Sequence, residues 1–177
     1  MITGARHKSA GFSMIEVLVS LLIIVVGVLG MVGLQSKAIP YTQDSVQRNT
    51  AMMLASDLLE LMRASQFDTS KNIKDFQKAP GAAFPNPPAS CVPTPASITD
   101  QLGCWGAQAA SSLPGASALA SGTFVYVCWS TTPGDVGATS CPSGQEVEIQ
   151  LAWTVQPGGC MDNTQNTTCT YKLRTRL

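Results

Sequence analysis

Glu16 is a carboxylate at the border of a long apolar run, where a charge is unexpected. It immediately precedes an uncharged stretch, residues 17–34, and follows Phe12 by four residues. A carboxylate near an apolar core costs several kcal/mol when it is unpaired, so one that persists there usually has a cationic partner or a function. The simpler alternative is that Glu16 lies at the headgroup level of a membrane and stays hydrated.

Cysteine is the second residue type with possible chemistry, either as disulfides or as metal ligands. All six cysteines lie after the apolar run, and an even number favours disulfides. No two have the spacing of a zinc site, and the only histidine, His7, precedes the run. Fifteen connectivities are possible, and the sequential one is favoured because short loops close at the lowest entropic cost. It pairs Cys91 with Cys104, Cys128 with Cys141, and Cys160 with Cys169.

The composition disfavours catalysis and nucleic-acid binding. After residue 7 the chain has no histidine, which excludes the common Ser-His-Asp and Cys-His arrangements, and paired cysteines are not nucleophiles. No glycine-rich phosphate loop lies between a strand and a helix. The formal net charge of zero argues against nucleic acid, which needs clustered lysine and arginine. The sequence therefore predicts neither an enzyme nor a protein with a cofactor or metal.

One polar loop offers oxygen ligands for calcium, namely Asp162, Asn163 and Asn166. Residues of these types also form ordinary turns, and this interpretation is preferred. A calcium- or surface-binding module remains an alternative.

The apolar run is long enough to cross a membrane. Residues 12–34 would extend about 34 Å as a helix, which covers the hydrocarbon core of a bilayer. Arg6 and Lys8 precede the run without an acidic residue. The N-terminus should therefore stay in the cytoplasm, with the rest of the chain, including the cysteines, on the far side.

The start of the chain also resembles a known signal. The segment KSAGFSMIEVLVSLLIIVVGVLG combines a short basic leader, Gly11, Phe12, Glu16 and a continuous apolar helix. An ordinary secretory signal has a shorter apolar region and a small-residue cleavage site after it. The pattern instead resembles the class III signal of type IV prepilins, over about the first 30 to 40 residues.

This resemblance implies a processing step and a role for the carboxylate. A prepilin peptidase would cut between Gly11 and Phe12 and methylate the new amino group of Phe12. Glu16 would neutralise that amine in its own helix, or the amine of a neighbouring helix shifted by about one turn. The implied partners are the peptidase and, through the N-terminal helices, other minor pilins and the major pilin. The protein would reside in the bacterial inner membrane, with a periplasmic C-terminal domain, and then in a pilus filament at the cell surface.

Helical periodicity continues beyond the apolar run. The helix should extend from Phe12 to Ser65, and Pro40 is expected to kink or interrupt it. Beyond Pro40, an apolar stripe follows helical spacing. The stripe consists of Ala51, Leu54, Ala55, Leu58, Met62 and Ser65, widened by Met52 and Leu59, and the more solvent-facing residues are Arg48, Asp57, Glu60 and Arg63.

The rest of the chain is predicted to be a β domain with loops. Residues 66–96 are rich in proline and should form a loop. A helix could begin at Ser97 or Thr99, although Gly103 and Gly106 would interrupt it. Strands are predicted at residues 123–129, 146–155 and 168–177.

The last two strands carry complementary patterns. Along the first of them, Glu146, Glu148 and Gln150 alternate with apolar residues, so the carboxylates should face solvent. An antiparallel register that pairs Ile149 with Leu173 brings acidic residues opposite basic ones. The opposed charges are Glu148 with Arg174 and Glu146 with Arg176.

The expected fold is therefore α+β and pilin-like, with a long N-terminal helix packed on a C-terminal antiparallel β-sheet with disulfide-bonded loops. The expected organisation is a cleaved leader at 1–11, a transmembrane and filament-core helix at 12–39, an amphipathic continuation at 40–66 and an extracytoplasmic domain at 67–177.

The C-terminal region also resembles a subset of this family. The six cysteines, the proline-rich insertion and the segments FVYVCW and EVEIQLAWTV resemble minor pilins of the PilV kind. This implies a role in priming type IV pilus assembly, at or near the filament tip, and in twitching motility or adhesion. Minor pseudopilins of type II secretion systems share the leader and are the alternative.

Overall fold

A computed structural model describes residues 11–161 and 167–177. Arg6, His7 and Lys8 of the leader, and Asp162, Asn163 and Asn166 of the polar loop, lie outside the described residues. The elements are helix α1 (Met14–Gln66), a 3₁₀ turn (Ile73–Phe76), helix α2 (Ile98–Ser112), helix α3 (Ala116–Leu119) and strands β1 (Tyr126–Ser130), β2 (Glu146–Thr154) and β3 (Thr168–Arg176). The predicted architecture is confirmed: a long apolar N-terminal helix, a C-terminal antiparallel sheet, and disulfides in the loops of the sheet region.

The chain forms two compact units, Met1–Ile39 and Pro40–Leu177. In the first unit, the large apolar side chains from Phe12 to Leu34 are exposed. By length and composition this part of α1 is apolar enough to cross a membrane, since its best window has a mean hydropathy of 3.0 and none of it is buried. A helix with an uncovered apolar surface is suited to contact with lipid or with other helices.

Helix α1 begins later than predicted and is not interrupted. The carbonyl of Ser13 accepts hydrogen bonds from the amides of Glu16 and Val17, at 3.0 and 3.3 Å, so the first turn starts after Phe12. The expected interruption at Pro40 is wrong, because α1 continues well past it. A proline inside a helix removes one N–H donor, and the turns on either side of Pro40 continue the helix despite that loss.

In the second unit, α1 supplies one face of the hydrophobic core. The predicted stripe is confirmed, since at most 3% of each residue is exposed in Ala51, Leu54, Ala55, Leu58, Met62 and Ser65. Leu59 is also buried, whereas Met52 is exposed. The apolar residues of the stripe form one continuous cluster with apolar side chains of the sheet and of α2. Because full burial of a leucine side chain contributes about 1.5–3 kcal/mol, the stripe is a main source of stability for this unit.

Helix α2 lies close against the proline-rich segment. It begins directly after Ser97, and its glycines do not interrupt it, contrary to the prediction. A β-carbon at Gly103 would lie 2.9 Å from the carbonyl oxygen of Asn86, and one at Gly106 would lie 2.7 Å from the ring of Phe84. The two glycines therefore allow the proline-rich chain to approach the helix.

Strands β1, β2 and β3 form one antiparallel sheet in that order. The predicted register is confirmed, and its opposed pairs include Ile149 with Leu173, Glu148 with Arg174, and Glu146 with Arg176. The prediction that Glu148 faces solvent is wrong, because this residue is fully buried. Side chains from both neighbouring strands, Tyr126 of β1 and Lys172 of β3, cover it.

Residues 66–96, predicted to be a loop, take part in the core. They contain the 3₁₀ turn, in which Phe76 is fully buried, and Lys78 exchanges backbone hydrogen bonds of 2.8 and 2.9 Å with Val127 of β1. The buried ammonium of Lys78 donates to the carbonyl of Val125 at 2.5 Å. Burial lowers the pKa of this ammonium to about 8.

The buried Lys78 should make stability depend on pH in a defined direction. Its pKa is about 8 in the folded protein and near 10.5 in the unfolded chain, so the unfolded chain binds more protons between these values. The free energy of unfolding should therefore rise as the pH increases from about 8 towards 10.5, and this gain is absent below pH 8.

Urea unfolding of the wild type and of Lys78→Met, at about pH 7 and about pH 9.5, measures this contribution. The wild type should gain stability relative to the variant at the higher pH, because the other titrating groups are common to both proteins. The same difference in stability at both pH values would contradict the lowered pKa of Lys78.

Candidate functional site

The predicted processing and assembly residues lie at the start of α1. Gly11 and Phe12 precede the helix and are exposed. A β-carbon at Gly11 would meet nothing within 4 Å, so no contact inside the described chain requires a glycine there. Glu16 lies in the first turn of α1 and is also exposed. Within residues 11–161 and 167–177, no ion pair involves Glu16.

Glu16 is placed for an electrostatic role at the start of the helix. The N-terminus of a helix carries a partial positive charge, which favours a carboxylate in the first turn. Cleavage of the bond between Gly11 and Phe12 would add a protonated amine at the same end. The helix dipole would disfavour that amine, whereas the carboxylate of Glu16 would attract it. The arrangement therefore suits cleavage followed by charge pairing.

Comparison with known families identifies a motif in the same region. Residues 6–32 match the family described as the prokaryotic N-terminal methylation motif. No curated protein and no solved structure matches the chain. The matched range includes Gly11, Phe12 and Glu16 and most of the apolar run. Together with the fold, the motif supports a type IV pilin-like protein, that is, a pilin or a pseudopilin.

The motif implies how such a chain is processed and used. It implies cleavage by a prepilin peptidase and assembly with other pilins, and it is typical of structural proteins rather than enzymes. The apolar helix fits anchoring in a membrane before assembly into a pilus. The matched range ends before the second unit, so the role of that unit must be argued from its own contacts.

A buried carboxylate that the sequence pattern did not reveal connects α1 to the sheet. Asp44 is fully buried. It accepts hydrogen bonds from Arg48 Nε at 2.9 Å, from Trp153 Nε1 at 3.0 Å and from the backbone amide of Met161 at 2.9 Å. Trp153 lies on β2, and Met161 directly follows Cys160. One side chain therefore joins α1 to the central strand and to the C-terminal disulfide loop.

Arg48, predicted to face solvent, is half-buried beside this carboxylate. Its guanidinium lies 5.5 Å from the centre of the Trp153 ring, and its Nη1 donates to the carbonyl of Thr170 at 3.4 Å. It therefore covers the indole and reaches a backbone carbonyl of β3. The sequence shows the four-residue spacing of Asp44 and Arg48. Exposed ion pairs on helices have the same spacing and contribute little to stability, so the spacing alone does not indicate a buried pair.

Replacing Asp44→Ala should destabilise the second unit by about 3–5 kcal/mol. The change leaves the buried Trp153 N–H and the Met161 amide without this acceptor, and it leaves Arg48 without its anion. Urea unfolding followed by tryptophan fluorescence measures the loss. The matched control is Asp57→Ala, at an exposed position of the same helix, which should change the free energy of unfolding by less than about 0.5 kcal/mol. Equal losses in both variants would contradict the role of Asp44.

Three disulfides cross-link the second unit. They join Cys91 to Cys104, Cys128 to Cys141, and Cys160 to Cys169, with Cα–Cα distances of 5.8, 5.1 and 5.6 Å. The first links the proline-rich segment to α2, the second ties the chain after β1 back to that strand, and the third closes the connection between β2 and β3. In the loop-entropy model a disulfide that closes a short loop contributes about 2–3 kcal/mol.

A second buried carboxylate lies on the central strand. Glu148 Oε1 accepts a hydrogen bond from the Tyr126 hydroxyl at 2.7 Å and pairs with the Lys172 ammonium at 2.9 Å. Burial, together with the nearby Glu148 carboxylate, raises the pKa of Tyr126. Burial alone would lower the pKa of Lys172, but its interactions with Tyr126 and Glu148 outweigh burial and raise it. Arg174 lies directly opposite Glu148 in the register, but its guanidinium pairs with Glu146, a diagonal neighbour, at 2.7 Å.

Proposed function

We propose that this chain is a minor pilin of the PilV kind, a structural subunit that primes type IV pilus assembly and is incorporated at or near the filament tip. The observation that carries the proposal is the methylation motif at residues 6–32, followed by an apolar helix and a disulfide-bonded sheet domain. Its partners are other minor pilins and the major pilin, which it contacts through the N-terminal helices. It serves pilus biogenesis, and through it twitching motility or adhesion.

The proposed assembly step depends on Phe12 and Glu16. Cleavage after Gly11 creates the amine that is methylated on Phe12, and Glu16 pairs with this amine in its own subunit or in a neighbour. A buried charge pair adds little affinity compared with apolar residues, but an unpaired charge in a filament core is strongly penalised. The pair therefore favours one register between neighbouring helices.

The proposed location follows the same order of events. Before assembly, the apolar part of α1 crosses the bacterial inner membrane, with the leader in the cytoplasm and the disulfide-bonded domain in the periplasm. An oxidising periplasm is consistent with the three disulfides. After cleavage the same apolar surface contacts other helices in the filament.

In cells that contain a prepilin peptidase, the mature chain should begin at N-methylated Phe12. Mass spectrometry of the N-terminal peptide tests this directly. Gly11→Leu should retain the leader, and because a β-carbon at Gly11 meets nothing within 4 Å, that defect would arise from contact with the peptidase rather than from misfolding. A wild-type chain that still begins at Met1 would contradict the proposed function.

Glu16→Gln should remain in the membrane but be depleted in sheared filaments by at least about five-fold, because a neutral amide cannot neutralise the amine. Immunoblots of the membrane and filament fractions measure the distribution. Asp75→Asn, which removes a charge at an exposed position of the second unit, is the control and should be incorporated normally. Normal incorporation of Glu16→Gln would refute the pairing mechanism.

A minor pseudopilin of a type II secretion system is the alternative that the motif also allows. Deletion of the gene separates the two roles. Loss of surface pili and twitching would support the minor pilin. Loss of exoprotein release with intact pili would support the pseudopilin.

A further inference from the structure

An open groove of about 780 Å³ lies on the second unit, and its lining includes none of the residues that the assembly proposal uses. It is bounded by α1, by α2 and by the loop that contains Cys91. Its lining includes Asp57, Glu60 and Leu61 from α1, Ala107 from α2, and Pro95 from the loop. Sites that enclose much of a bound ligand have volumes of about 300–1,000 Å³, so the groove is large enough for one or two side chains of a partner.

The walls of the groove are fixed before any partner binds. The disulfide between Cys91 and Cys104 ties the loop to α2, and Gln101 Nε2 donates to the carbonyl of Pro95 at 2.6 Å. The buried indole of Trp105 fixes α2 on α1, because its N–H donates to a backbone carbonyl of α1 at 2.8 Å. A preformed groove loses little conformational entropy on binding, so its contacts contribute more fully to affinity.

The charge of the lining selects the kind of partner. Asp57 and Glu60 are the charged residues among the described lining, and both are acidic. Arg63 pairs with Glu60 at 2.6 Å but does not line the groove. The described residues, 11–161 and 167–177, provide no ion pair for Asp57. A mostly apolar groove with an acidic rim complements an apolar side chain next to a cation and repels acidic segments.

We propose that this groove binds a peptide segment of a neighbouring filament subunit, in which an apolar side chain adjoins a lysine or arginine. The apolar side chain lies between Leu61 and Ala107, and the cation lies at Asp57 and Glu60. The proposal rests on the proposed function, since the neighbour is a pilin-like subunit. It adds a contact between folded domains to the pairing of N-terminal helices at Glu16.

Peptide binding to the purified full-length chain in detergent tests the groove itself. The probe is a fluorescent hexapeptide of alternating leucine and arginine, and the control peptide has glutamate in place of arginine. Fluorescence anisotropy should show saturable binding of the basic peptide and at least about ten-fold weaker binding of the acidic one. Absence of saturable binding of the basic peptide, or equal affinity for both peptides, would overturn the proposal.

Matched variants locate the binding. Ala107→Trp places an indole in the groove and should weaken binding at least about ten-fold, whereas Ser112→Trp adds the same side chain at the exposed end of α2, outside the lining, and should leave binding unchanged. Asp57→Asn should weaken binding about two- to five-fold, and Asp75→Asn should not. Circular dichroism and urea unfolding check that each variant is folded. Unchanged binding by a folded Ala107→Trp variant would overturn the assignment.

Incorporation in cells tests the identity of the partner. Ala107→Trp should be processed to Phe12 yet be depleted in sheared filaments, and Ser112→Trp should be incorporated normally. Normal incorporation of Ala107→Trp would overturn a filament subunit as the occupant. This failure is distinguishable from failure of the proposed function, which would appear as a wild-type chain that keeps its leader.

Discussion

The carboxylate of Asp44 satisfies donors from three parts of the chain at once: Arg48 on its own helix, the Trp153 indole on the central strand, and the Met161 amide beside the last disulfide. A fully buried carboxylate is strongly destabilising when it loses its partners, so α1 packs on the sheet where the Trp153 indole and the Met161 amide can both reach Asp44. The position of the helix on the sheet therefore depends on this contact. The apolar stripe of α1 adds burial energy, but apolar burial is non-directional and therefore constrains the position of the helix less than hydrogen bonds do.

Asp44, Glu148 and Glu16 are carboxylates with different environments. Asp44 and Glu148 are fully buried and each is paired with a cation of the same chain. Glu16 is exposed on an apolar helix, and the described residues provide it with no ion pair. The first two therefore stabilise the fold of the second unit. The third remains available for a charge that cleavage before Phe12 would create.

The strand register was predictable because it depends on local alternation. Side chains on a strand alternate with a period of two, so apolar and charged residues of β2 and β3 match in one register only. The same alternation wrongly assigned Glu148 to the solvent face, because it does not show that Tyr126 and Lys172 converge on that carboxylate. The glycines of α2 misled the prediction for a similar reason. The cost of a glycine to a helix can be judged from the local sequence. The close approach of the proline-rich segment that these glycines permit involves residues distant in the chain, so the local sequence does not show it.

The sequence by itself determined the features that depend on residue type and short spacing: the apolar run, the order Gly11, Phe12 and Glu16, the amphipathic stripe of α1, and the alternation of the strands. Only the tertiary structure decided which polar groups are buried, such as Asp44 and Lys78. It also decided the lowered pKa of Lys78 and the groove between α1, α2 and the Cys91 loop. The physical reason is that desolvation and hydrogen bonding depend on all atoms near a group. Most of those atoms belong to residues distant in the chain, so no local pattern contains them.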